Sequence, residues 1–193
     1  MRTYPRHPIM GRVRAHERTI RWTTWDGVIT ETLRLGFESG GWTADGIIDA
    51  PEPVQYAVRL DPNWRVRQVL VFRDLDEPDL WLGHDGGGRW GEVNGAHRPD
   101  LDGCVDVDLS CTPFTTTLLI RRLRLPVGGR AELLVAHVDV DSLAVTPRLE
   151  RWTHLAERRW RHEVPRDGTE AELQVDDDGL VVDYPDAYRR LPA

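Results

Sequence analysis

Lysine is absent: all 25 basic residues are arginine. No side chain can therefore form a Schiff base or serve as a lysine general base. Cysteine is scarce as well. Cys104 and Cys111 stand seven apart, and on a continuous strand that odd spacing puts them on opposite faces, where they cannot pair. Two thiols make no zinc pattern, and unpaired thiols suit a reducing, cytoplasmic location. No run of residues approaches the length of a membrane span. The N-terminal stretch is polar and rich in Arg and His, without the apolar centre of a secretory signal. A P-loop, a Gly-x-Gly-x-x-Gly after a strand and a Gly-x-Ser-x-Gly elbow are all missing. An excess of positive charge is missing too: the net charge is −7, which argues against nucleic acid or an anionic membrane as a general partner. No cofactor is expected.

What is present reads as β structure. The 193 residues, 40% hydrophobic and 30% charged, suffice for one substantial core. Residues 1–17 offer little to bury and are expected to form a flexible leader. Residues 18–193 are expected to form one domain. Strand-like segments follow one another at roughly 10-residue spacing, separated by turn signals such as Asp26-Gly27, Gly40-Gly41, Asp61-Pro62-Asn63 and Asp176-Asp177-Asp178-Gly179. Leu33, Leu35 and Phe37 share one face, and Trp64, Val66, Leu70 and Phe72 share another. Gly46 suggests a bulge, and Pro147 an interruption. Tyr188 to Ala193 reads as a tail. No window carries a helical stripe, and the best helical candidate is a turn or two near Thr117–Leu125. So many short strands predict an all-β, antiparallel sheet that must curl over itself.

The stretch from Leu101 to Leu125 is the most informative. Strict alternation sets Val105, Val107 and Leu109 against Cys104, Asp106, Asp108 and Ser110, the pattern of a half-buried strand. Thr112-Pro113 ends it. Carboxylates two apart share a face and could raise one another's pKa, so Asp106 or Asp108 could serve as acid or base. They could equally pair with arginines across the sheet or, with Asp102, meet a ligand. The hydroxyls of Ser110, Thr112, Thr115 and Thr117 both donate and accept, as sugar hydroxyls require. Arg121 and Arg122 could hold an anionic head group or pair with the aspartates. Among the eight tryptophans, Trp22, Trp64 and Trp152 are candidates to stack on a sugar or an acyl chain, with core packing as the alternative. His137, Asp139 and Asp141 alternate as metal ligands might, but a fourth ligand is lacking.

This stretch resembles a known family, the bacterial "putative glycolipid-binding" proteins. The residues that carry the resemblance are Leu-Asp-Gly-Cys-Val-Asp-Val-Asp-Leu at 101–109, Thr-Pro-Phe-Thr at 112–115, Thr-Leu at 117–118 and Ile-Arg-Arg-Leu at 120–123. Thr116 and Leu119 stand where the family often shows Asn and Pro. The likeness extends from about Trp22 to Tyr188. It implies a single antiparallel sheet wrapped into a spiral β-roll, and non-catalytic binding of a glycolipid or other amphipathic small molecule. On that reading Asp108→Asn is expected to cost binding with little loss of fold. The alternatives are an enzyme acting on a glycoconjugate or small molecule through an Asp pair, or a protein-interaction module, for which a homodimer through a sheet edge would speak.

Overall fold

The computed structural model describes residues 17–73 and 77–192; the expected leader lies almost wholly outside them. Strands β1 (Glu17–Thr24), β2 (Thr30–Glu38), β3 (Gly41–Asp49), β4 (Val54–Leu60), β5 (Val66–Phe72), β6 (Leu80–His84) and β7 (Trp90–Gly91) form a meander. After a 3₁₀ turn at Pro99–Leu101 come β8 (Cys104–Leu109) and the helix α1 (Phe114–Leu123). A second meander follows: β9 (Arg130–Val138), β10 (Val145–Ala156), β11 (Arg159–Val164), β12 (Thr169–Val175), β13 (Val181–Tyr184) and β14 (Tyr188–Arg190). All belong to one 14-stranded sheet, ordered β7-β6-β5-β4-β3-β2-β1-β14-β13-β12-β11-β10-β9-β8. The expected tail is thus the strand that joins the two meanders, with Trp22 opposite Arg190 and Thr24 opposite Tyr188.

The sheet is all-β in character but not wholly antiparallel. β8 runs parallel to β9. A parallel neighbour needs a crossover of a dozen or more residues, and the segment containing α1 supplies it. No ladder joins the outer strands β7 and β8, so the sheet is open. It curls far enough that Trp90 Nε1 donates to the carbonyl of Cys104 at 3.0 Å, which tethers one edge to the other.

α1 fills the space between the two meanders. Phe114 and Leu118 enter a large core with Trp22, Leu33, Tyr56, Val69 and Trp90. Leu119 and Ile120 enter a second core with Val135, Trp152, Trp160 and Val181. Every residue from Phe114 to Ile120 is buried. A helix buried on nearly all sides has no polar stripe to announce it, and three successive threonines carry poor helix propensity. Thr112 Oγ1 accepts from Phe114 N at 3.0 Å just ahead of the first turn, with Pro113 in the N-cap position. Arg124 ends the helix in the left-handed region, at φ 44°.

Local register departs from simple alternation in several places. In β5 two residues oppose one between Arg59 and Leu60, so Val66, Val69 and Val71 are buried while Leu70 and Phe72 turn to the other face. Trp64 lies outside the strand altogether. Gly46 is not bulged: Leu33 and Tyr56 oppose it in continuous ladders. Glycine is needed there because a Cβ would fall inside the Tyr56 ring. Pro147 sits within an unbroken β10. It pairs with β9 on one side, and β11 begins to pair on the other only at Arg151, so the missing N–H faces no partner strand.

Candidate ligand-binding site

The hairpin turn between β4 and β5 builds one wall of a cleft. Asp61 Oδ1 accepts from Asn63 N at 2.8 Å and Arg65 N at 3.0 Å. Trp64 N donates to Asp61 O at 3.0 Å, and Asp61 N to Arg65 O at 2.9 Å. This closed set of bonds holds Trp64 at φ 65°, a conformation unfavourable for any bulky L-residue. Its ring meets Trp42 at 4.9 Å and Phe114 at 6.5 Å, while Phe37 meets Trp42 edge-on at 5.1 Å. An aromatic row therefore runs from the rim of β2 to the start of α1. The Arg121 guanidinium stacks on Trp64, 3.9 Å from the ring centroid, and donates to Asp178 O at 2.6 Å.

Three adjoining hollows share Trp64 and Arg121. The first, of 420 Å³, reaches Leu35, Trp42 and Leu180, with Glu17, Arg18 and Asp178 at its margin. A second, of 390 Å³, runs over Trp42, Pro62, Asn63 and Arg124. The third, of 420 Å³, is bordered by Asn63, Arg65, Arg122 and Arg124. The cleft is thus apolar and aromatic at one end and basic at the other. That is the layout that suits an amphipathic molecule, with fixed polar groups choosing the head and apolar walls covering the rest.

The aspartates expected to meet a ligand are held elsewhere. Asp106 is fully buried and bonded by Arg122 Nε at 2.8 Å. Burial pushes its carboxyl up to about 6, against the pull of Arg122. The register slips between Cys104 and Asp106, which breaks the expected alternation and turns Asp106 inward. Asp108 receives Thr115 Oγ1 at 3.1 Å, His137 Nδ1 at 2.8 Å and Arg148 Nη2 at 2.5 Å. Burial would raise its carboxyl, but the His137 bond and the Arg148 charge outweigh that and hold it below the ordinary range. Arg148 also bonds Glu150 at 2.8 Å, which accepts from Trp152 Nε1 at 3.1 Å. His137 therefore belongs to an ionic network. Among the described residues no group of three or more His, Cys, Asp or Glu could hold a metal.

The threonine hydroxyls are likewise turned inward, while Ser110 is exposed. Thr112, Thr115 and Thr117 are buried. Thr112 Oγ1 donates to Glu31 Oε1 at 2.7 Å, and Tyr56 OH donates to the same oxygen at 2.5 Å. Burial pushes the Glu31 carboxyl up to about 7, against these two bonds. Asp102 is bonded to His97 at 2.8 Å on the surface before β8, and Ser110 Oγ accepts from Val140 N at 3.1 Å. Trp22 and Trp152 lie within the two cores. Of the residues singled out from sequence, the fold brings Trp64, Arg121 and Arg122 to the cleft. Trp42, Asn63, Arg65, Arg124 and Leu180 join them unforeseen. The available signal was the Asp-Pro-Asn turn, which makes Trp64-Arg65 a loop tip instead of a strand.

Among the described residues no helix is long and apolar enough to cross a membrane. No curated protein matches the chain. A crystal structure of a DUF1089 family protein from Pseudomonas aeruginosa is similar over 99% of this chain and 100% of its own, with 27% identity and a TM-score of 0.67. The family described as "Putative glycolipid-binding" matches residues 19–190, and the chain belongs to that family.

Proposed function

We propose that this protein binds a glycolipid or similar amphipathic molecule, without catalysis, in the cleft over Trp42 and Trp64. The observation that carries this reading is Trp64. The turn holds a large aromatic side chain in a strained backbone conformation, between an apolar wall and the Arg121 guanidinium. Leu35, Trp42 and Leu180 offer surface to an alkyl chain, at about 0.8 kcal/mol per buried CH₂. Arginines and Asn63 line the end that would meet the head. The alkyl chain lies in this cleft and not at the centre of the curled sheet, where Trp22, Tyr56, Trp90 and Phe114 already pack. Catalysis by the aspartate pair is disfavoured, because both oxygens of Asp106 and of Asp108 are already bonded.

Native mass spectrometry of the full chain, purified without detergent, followed by organic extraction and lipid analysis, tests the reading. A co-purifying amphipathic lipid near one per chain is expected, and its loss from Trp64→Ala would place it in the cleft. A bare chain that takes up nothing from a lipid extract, with unchanged tryptophan fluorescence, would overturn the proposal.

A further inference from the structure

The basic end of the cleft carries a more specific reading, which rests on the cleft being the ligand site. The hollow bounded by Asn63, Trp64, Arg65, Arg121, Arg122 and Arg124 has a volume of 420 Å³ and no carboxylate in its lining. The chain has 32 acidic residues against 25 basic ones, so four guanidiniums around an acid-free hollow run against its overall charge. The four come from two separate elements, the β4–β5 turn and the end of α1. Favourable interaction with the C-terminal helix dipole accounts for the helical arginines but not for Arg65, which approaches from across the cleft.

Two of the four are already engaged. Arg122 is paired with Asp106 at 2.8 Å, and Arg121 is fixed by Asp178 O and the Trp64 face. Burial draws the Arg121 pKa down, with Asp178 and Asp176 opposing and Arg124 adding to the fall. Among the described residues, the guanidiniums of Arg65 and Arg124 have no hydrogen bond or ion pair within the chain. Both are backbone-fixed. Asp61 Oδ1 holds Arg65 N, and Arg124 is the helix cap at φ 44°. Guanidinium forks match oxyanions bidentately. A carboxylate has two coplanar oxygens and is served by one fork. A phosphate group has oxygens in tetrahedral array and can accept forks from opposite walls. We infer that this end of the cleft is an oxyanion site for a phosphate group, borne by a lipid head or free in solution.

The test uses the full chain and the double variant R65Q/R124Q, whose lost guanidiniums hold nothing in the fold; equal urea midpoints would verify that. Inorganic phosphate is titrated by calorimetry, and vesicles of phosphatidylcholine with and without phosphatidic acid are used in co-sedimentation. The native chain is expected to bind one or both phosphate probes in preference to phosphatidylcholine alone. The double variant is expected to bind about tenfold or more weakly, since each charge-assisted fork is a strong contact. Binding of inorganic phosphate alone assigns a free anion, and binding of phosphatidic acid vesicles alone assigns a lipid head; either supports the site. No binding of either probe, or equal binding by the double variant, overturns it. If a neutral lipid still co-purifies with both chains in that case, the cleft stands and only its phosphate end is wrong. If none does, the cleft itself has failed.

Discussion

Glu31 offers a stability prediction whose sign and size both follow from its surroundings. The residue is 2% exposed. Oε1 accepts from Tyr56 and Thr112, while Oε2 is buried without a partner. Burial raises its pKa from the ordinary 4.5 to about 7. The folded chain therefore holds this proton more tightly than the unfolded chain does. Below pH 4.5 both states are protonated and the residue makes no pH-dependent difference. Between 4.5 and 7 the unfolded state releases the proton and the folded state keeps it, so stability falls as pH rises. Above 7 the full penalty applies, roughly 3 kcal/mol for such a difference in pKa. Glu31→Gln removes the titration and keeps an oxygen for Tyr56 and Thr112. The variant should match the native chain near pH 4.5 and gain on it up to about pH 7. Each kcal/mol is worth about 2–4 °C in Tm for a domain of this size, so a gap of about 6–12 °C is expected at pH 8. Thermal melts by circular dichroism at pH 4.5, 6, 7 and 8 measure it. A difference between the two chains that stays constant across that range would refute the argument, because burial would then not be setting this carboxyl.

Three further substitutions test separate parts of the structure. Gly46→Ala drives a methyl into the Tyr56 ring and should cost roughly 2–3 kcal/mol in urea unfolding; the double variant with Tyr56→Ala should recover less than the sum of the two losses. Arg124→Gly relieves the left-handed helix cap and should stabilise the chain by about 1 kcal/mol while weakening phosphate binding. Asp108→Asn removes the charge that Thr115, His137 and Arg148 converge on; an amide has one acceptor oxygen for three donors, so the loss should be roughly 2–4 kcal/mol. Because this carboxyl is held below its ordinary value of 3.8, the stability it contributes is present above that pH and fades as pH falls through the lower folded value. The expectation that this substitution would spare the fold and cost binding is thereby reversed: ligand affinity per folded molecule should not change.

Much of the fold was legible because its signals are local. Asp26-Gly27 and Asp176-Asp177-Asp178-Gly179 do turn the chain, the latter with Asp176 Oδ1 accepting from Asp178 N and Leu180 N. The alternation of Leu33 and Leu35 does mark a buried face. What stayed hidden depends on partners distant in sequence. A bulge inverts every side chain beyond it, and nothing within Trp64–Phe72 announces that Leu60 pairs with Val66. Gly46 looks like a weak point until Tyr56 is seen lying across it. The parallel pairing of β8 with β9 follows from the crossover through α1, a helix whose burial on nearly every side erased its periodicity. The polar stretch from 102 to 122 was legible as important, and of the alternatives it left open the pairing of aspartate with arginine is the one seen for Asp106 and Arg122. Thr112, Asp106 and Asp108 bond to Glu31, Arg122, His137 and Arg148 inside the fold, while Asp102 stays on the surface with His97 and Arg121 and Arg122 border the cleft.

The placement of strain argues that the cleft serves more than packing. Among the described residues nine glycines take a positive φ, so glycine is the ordinary solution where a turn needs that conformation. Five other described residues do so without being glycine, and two of these, Trp64 and Arg124, border the same hollow. Each such residue costs of order 1–3 kcal/mol where it stands. At position 64 a glycine would make the same turn, since every bond that Asp61 makes to residues 63, 64 and 65 goes to their backbone. What glycine would lose is the indole between Trp42 and Arg121. That indole is only partly buried, so core packing recovers only part of its cost. Arg124 makes the argument more sharply. Its side chain is exposed and makes no hydrogen bond or ion pair among the described residues, so no polar contact of that side chain offsets its cap. If Arg124→Gly gains stability and loses phosphate while Trp64→Gly gains backbone ease and loses lipid, strain and binding are opposite faces of the same two residues. If both glycine variants keep full binding, the strain has some other origin and the cleft loses its strongest support.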